Sequence, residues 1–347
     1  MAGRVEGRGI VVTGATERTT VRIMNRGEVC QVGSLTIDGD VRNVQLRGVD
    51  VVGEGIEIEG AAGRVDLARL RNGADVHVGG NAKMLRVESV GVGSEIDVEG
   101  DVNVLMAGEF VGATWTSRSL GRAMFQGAFV GELEVTQGDL GTLAIREGDL
   151  VGAVNVAGSI GSVQIKEGNL PGSVWAGDDI ARILAPRGCV TGTIEAGRTI
   201  ERIVAEETDG AEIRAGEALG RVDVRGDMFE TIVAVGSSAA AGQTGEPGEV
   251  TEAFLSSLRV GGTFGGSTVA VGVTPDAEGC FITGSAASAA GTIGRVDLGA
   301  VATEGEGDPF GVVARDAIDQ LLVGREKLRT GLQWENFYVE VLEAEGV

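Results

Sequence analysis

The chain repeats itself in steps of ten. Leu140, Leu150, Ile160, Leu170, Ile180, Val190 and Ile200 stand at regular intervals, and Phe110, Leu120 and Val130 extend the series upstream. Glycines recur near these apolar corners. Two kinds of short alternating unit follow one another, VGAVNVAGSI (151–160) and GSVQIKEGNL (161–170). A period this regular marks a repeat architecture. Within each unit apolar and polar residues alternate, as in Val154-Asn155-Val156 and Val163-Gln164-Ile165. Period-two alternation buries one face of a strand and exposes the other.

Marking the first inward residue of every strand gives two interleaved series. One runs from Leu35 and Ile56 through Val76, Ile96, Thr114, Leu133 and Val154 to Ile213 and Ile232; the other runs from Val44 and Val65 through Leu85, Val104, Ala123 and Leu143 to Val222. Together they define a coil of about 20 residues with two principal strands. No helical segment separates the strands, which excludes stacked βαβ units. An antiparallel meander has no need of corner residues in columns. The expected fold is all-β: a single-stranded parallel β-helix, or β-solenoid, with a C-terminal cap.

The pattern divides the chain into four stretches. Residues 1–32 are lead-in strands, 33–235 the regular β-helix, 236–324 irregular coils with loop insertions at 236–253 and 273–291, and 325–347 a cap. A short helix is expected at 250–257. Trp334, Phe337 and Tyr338 cluster in the last stretch of a chain with 4% aromatic residues, which suits the seal a solenoid needs on its final coil.

Composition narrows the partners. The formal net charge is −22, whereas nucleic-acid binding needs a basic footprint. No run approaches the roughly 18 apolar residues of a membrane span, so neither nucleic acid nor membrane insertion is expected. The opening MAGRVEGRGIVV has no apolar signal core. This places the chain in the cytoplasm as it stands, with the cell surface or exterior as the alternative. Cys30, Cys189 and Cys280 have no metal-ligand spacing and read as small buried hydrophobes. The P-loop, GxSxG and HExxH patterns are absent, as is the Gly-Gly-X-Gly-X-Asp calcium repeat. No catalytic residue, metal or cofactor is expected.

Three segments carry a resemblance: GSIGSVQIKEGNLPGSVWAGDDI (158–180), GTFGGSTVAVGVTPDAEGCF (262–281) and PFGVVARDAIDQLLVGREKL (309–328). They resemble the Gly-rich parallel β-helix modules of large bacterial surface or secreted proteins. The coil pattern is also similar to bactofilins, the bacterial polymer-forming β-helices, and that resemblance implies end-to-end polymerisation without nucleotide.

Residues between inward pairs should form outward columns. One contains Glu57, His77, Asp97, Trp115, Glu134, Trp175 and Glu195. His77 therefore has acids on both sides, a mixed-charge ladder. Trp115 and Trp175 are candidate contact aromatics for glycans or an assembly partner. The other column contains Leu105, Met124, Ala144, Leu184 and Val204, an apolar strip expected to be an assembly face. These features lead to a non-enzymatic structural protein that self-assembles into a filament, lattice or scaffold through its coil ends, its apolar strip, or both. A glycan-binding adhesin or tail-fibre-like module is the alternative, and a polysaccharide-active enzyme the less favoured one.

Overall fold

The computed structural model describes residues 9–25, 30–71, 73–236, 252–273, 275, 290–302, 309–334 and 336–342. The described residues form strands, turns and bends, with no helix. The chain divides into two compact units, 1–167 and 168–347, and each is a stack of parallel coils.

In the first unit, β1 (Ile10–Ala15) lies parallel to β3 (Cys30–Gly39), and β2 (Thr20–Met24) lies parallel to β4 (Val41–Ile58). The lead-in strands thus form the first coil. Inward residues then stack in columns. Leu35 faces Ile56, then Val76 and Ile96, while Val44 faces Val65, then Leu85 and Leu105. In the second unit one column runs Ile183, Ile203, Val222, Leu258, Val296, Leu321. Its companion runs Val174, Ile194, Ile213, Val233, Val269, Val312, Val339. None of these residues is more than 2% exposed. Each such side chain contributes about 1.5–3 kcal/mol on burial, so stability is spread evenly along the stack.

Each coil also carries a third, shorter ladder. Val51, Leu70, Val90, Phe110 and Phe129 pair in succession in the first unit. Val190, Thr208, Met228, Phe264 and Val301 do so in the second. The runs are too short to alternate, so period-two reading passes over them. Phe110 and Phe129 stack at 5.1 Å between ring centroids, with Phe125 4.8 Å from Phe129.

Corners are fastened by side-chain amides and carboxylates. The N–H groups of Ala61, Asp101 and Ser159 donate to Oδ1 of Asp40, Asn81 and Asp139, each at 2.8 Å. Cys189 and Thr199 donate likewise to Asn169 and Asp179 in the second unit. Each acceptor sits about one coil earlier than its donor, so corner amides find partners where the ladder is interrupted.

The stack ends in antiparallel pairing. Ala317–Val323 turns back on Glu326–Leu328, and Leu332–Trp334 pairs antiparallel with Phe337–Val341, which itself continues the parallel ladder beside Phe310–Ala314. Phe337 is fully buried, 6.2 Å from Phe264 and 5.5 Å from Phe310. Gln333 Nε2 donates to the Tyr338 hydroxyl at 2.9 Å.

Four expectations are corrected. Leu105, expected outward, is 0% exposed and pairs with Leu85; Val104 takes the outer position. The reason is a bend common to the coils. Two outward residues follow each corner before alternation resumes, as in Val41-x-x-Val44, Ala82-x-x-Leu85 and Val102-x-x-Leu105. Trp115, also expected outward, is 0% exposed, and Thr114 is not the inward residue. A register shift between Val111 and Ala113 turns the indole into the core opposite Leu133, where its Nε1–H donates to Ser117 Oγ at 3.1 Å. Ile232 gives way to Val233, which pairs with Ile213. Residues 252–257 belong to the strand Glu252–Gly265 and not to a helix, because Ala253, Leu255 and Leu258 enter the core ladder while Phe254 turns out. Most of the insertions at 236–253 and 273–291 lies outside the described residues, as do Cys280 and the side chain of Trp334.

Candidate functional site

Function in this fold falls to the outward columns and to the coil edges. On the first unit the apolar strip is built by Met106, in the place expected of Leu105, beside Met124, with Ala144 continuing from Met124 in the ladder. A groove of ≈ 310 Å³ lies over Arg47, Asp66, Arg86 and Glu88, and a second of ≈ 200 Å³ over Arg86, Glu88, Met106, Met124 and Gln126. Arg86 and Glu88 border both. Asp66 is committed within the protein, since Arg64 Nε donates to both its carboxylate oxygens at 2.9 and 2.8 Å. On the second unit the strip comprises Leu184 and Val204, which are neighbours in the ladder; Val204 is only 5% exposed.

The other outward face of the first unit is acidic. His77 Nδ1 lies 3.0 Å from Asp97 Oδ2 and its Nε2 lies 3.8 Å from Glu99 Oε1, while Glu57 adjoins it in the ladder. The expected ladder exists, with Glu99 added from beyond the column. Asp38 beside Glu59 raises the Glu59 carboxyl above its ordinary range by like-charge repulsion and a shared hydrogen bond. Among the described residues no group of three or more His, Cys, Asp or Glu side chains is placed to hold a metal ion.

The corresponding face of the second unit presents Trp175, Glu195 and Arg214 in one column. Trp175 is half-buried and Glu195 is 8% exposed. Burial pushes the Glu195 carboxyl up, Arg214 opposes that shift, and Glu212 adds to it. Arg214 is itself held by Glu212 through its Nε–H. Further along, Ala234, Ala270 and Val313, outward by alternation, are buried with Val273 in a small apolar cluster against Ile232 and Leu342. Cys30 and Cys189 are free, half-buried thiols, and burial raises the Cys189 thiol.

Among the described residues the first coil presents an open edge. Among the described residues β1 pairs only with β3, and β2 only with β4. Ile10 is 38% exposed, Val11 66% and Met24 49%. One coil later the partners of Ile10, Val12, Val21 and Ile23 are closed, with Leu35, Ile37, Val44 and Leu46 all 0% exposed, while Val11 and Met24 pair with the outward residues Thr36 and Arg47. Lead-in strands within 1–32 are legible in the sequence; whether each has an outer neighbour is a property of the stack.

Compared with family models, curated proteins and solved structures, the chain finds no match.

Proposed function

We propose that this protein is a non-enzymatic structural element that self-associates, and that the edge of its first coil is the principal contact. The observation carrying this reading is that, among the described residues, β1 and β2 each lack an outer strand partner and carry exposed apolar side chains. Unpaired strand edges recruit further strands unless blocked by charge, proline or a covering segment. The final strands of the second unit, by contrast, are occupied by antiparallel turns. Those turns leave only three-residue strands, Glu326–Leu328 and Leu332–Trp334, at that end, so the longer β1 and β2 favour a two-fold pairing of first coils, an isologous contact in which β1 of one copy meets β1 of the next. The similarity of the coil pattern to bactofilins points to the same kind of activity. The short antiparallel strands that end the second unit favour a pair over an end-to-end polymer at this contact, so a filament or lattice needs a second interface.

The glycan-binding alternative loses support, because Trp115 lies in the core and only Trp175 of the expected pair reaches the surface. The test of self-association is sedimentation of the full chain across a dilution series, beside Val11→Lys, which places a charge on the exposed edge. The expected result is a dimer or larger species for the parent, and a dissociation constant at least about tenfold weaker for the variant, equivalent to about 1.4 kcal/mol. A parent chain that stays monomeric at every concentration overturns the proposal.

A further inference from the structure

One sequence motif recurs on the sheet face that carries the strip: GRVDL at 63–67, GRVDV at 220–224 and GRVDL at 294–298. Each time the arginine and the aspartate two residues on both point outward and pair. Arg64 grips Asp66 at 2.8 Å, Arg221 Nη2 reaches Asp223 at 2.8 Å, and Arg295 Nη2 reaches Asp297 at 3.0 Å. Arg259 follows the same rule across strands, since it stands in the ladder between Asp223 and Asp297.

Two successive coils break the rule. Arg182 and Arg202 occupy the arginine position and face each other directly in the ladder, followed in it by Arg221. Where the aspartate belongs, these coils have Leu184 and Val204. Arg182 and Arg202 are exposed, and among the described residues no hydrogen bond or ion pair links either to a carboxylate. Like charges directly opposite one another in a sheet repel. Adjacent coils are about 4.8 Å apart, so two arginines without an ion pair among the described residues stand on neighbouring strands beside the apolar pair Leu184 and Val204, with Asp223 next in the ladder already held by Arg221. Apolar surroundings lower the local dielectric and strengthen both that repulsion and any attraction that relieves it.

We propose that Arg182, Arg202, Leu184 and Val204 form a lateral docking site for the carboxylate-bearing surface of a second copy of this chain. The proposal rests on the self-association reading and supplies the second interface it needs. Charge complementarity selects the occupant. A copy carries 51 acidic against 29 basic residues, so two copies repel over most of their surfaces. Lateral contact is least opposed where the local charge is positive. At physiological ionic strength repulsion between exposed charges fades beyond about 8 Å, which leaves contact pairs to decide the geometry. Planar guanidinium groups bind carboxylates in a forked geometry, and the apolar pair excludes water beneath them. The contact is heterologous, an arginine face against an acidic one, and such contacts propagate into rings or filaments.

The experiment uses the full chain with Val11→Lys, which blocks the coil edge, so that the remaining association reports the lateral face. Sedimentation at low and high ionic strength is compared with the same chain carrying Arg182→Glu and Arg202→Glu. Arg221→Ala, whose arginine already has an aspartate, is the control. The expected result is salt-sensitive association of the Val11→Lys chain, weakened at least about tenfold by the double reversal and unchanged in the control. Coincident thermal unfolding curves confirm that the fold is retained. A Val11→Lys chain that is monomeric at low ionic strength, beside a parent that associates, overturns the lateral site and leaves the edge contact standing. Association unmoved by the double reversal overturns it as well. Association lost through the arginines but insensitive to Val11→Lys retains the lateral site and overturns the edge contact. A parent chain that never associates overturns both.

Discussion

At the scale of single residues the glycines have two separate tasks. Some adopt backbone that other residues avoid: Gly48, at φ 65°, turns the chain in the first unit. Others are required by the coil beneath. A Cβ on Gly192 would sit 1.8 Å from the carbonyl oxygen of Gly172, which is backbone and has little room to yield. Glycine content therefore follows from vertical stacking as much as from tight bends. Gly192→Ala should destabilise the protein by about 3 kcal/mol, read as a lowered thermal midpoint by circular dichroism. An unchanged midpoint would mean that neighbouring coils separate more easily than the geometry implies. Glu195 belongs at this scale too. Its carboxyl is enclosed by neighbours in its own sheet, a feature that the sequence shows only as one glutamate among many.

At the scale of elements the governing unit is the sequence apolar-x-x-apolar-x-apolar. The bend takes two outward residues before alternation resumes. Strict alternation is therefore right for Val154–Val156 and one residue out of phase for Val104 and Leu105. The error at Trp115 has another origin, since Gly112 is an extra residue that shifts the register and no periodicity announces it. The final element depends on Phe337. Removing a fully buried phenylalanine costs about 3–5 kcal/mol, and in a repeat protein the loss stays near its source. Phe337→Ala should therefore speed hydrogen exchange in 310–314 and 337–341 while the strands at 35–58 keep their protection. Uniform loss across both units would show that the stack unfolds as one cooperative block.

At the scale of the whole molecule charge is the dominant property. The formal net charge of −22 makes protonation of carboxylates a relief of repulsion, and the raised carboxyls of Glu59 and Glu195 act in that sense: their protonation favours the folded chain as pH falls. Asp101 acts oppositely. Arg118 donates to both its oxygens at 2.9 and 2.7 Å and the Ser119 hydroxyl donates at 2.8 Å, which lowers its pKa to about 2. A depressed carboxyl stabilises above its unfolded value of about 3.9, and that contribution disappears as pH falls from there through about 2. Urea midpoints measured over this acid range should fall less steeply for Asp101→Asn than for the parent. Parallel curves would exclude the Arg118 pairing as a source of acid sensitivity. Association follows the same electrostatics, because an acidic chain meets itself where arginines gather or where uncharged backbone is exposed.

The sequence by itself determined the class of fold, the coil length and most of the core, because those depend on the spacing of apolar residues, which is local and repeated in every coil. It also determined which residue types would form the outward columns. Only the tertiary structure decided the phase of each column, since phase depends on bends and on a register shift that leave spacing nearly unchanged. The Arg-x-Asp motif sets Arg64, Arg221 and Arg295 apart in the sequence itself, and only the stacked structure shows that Arg182 and Arg202 face each other on neighbouring coils. The difference lies in what stands beside each guanidinium across and along the sheet. The open edge is likewise a tertiary fact, because whether a strand has a neighbour on both sides is a property of the stack and not of the strand.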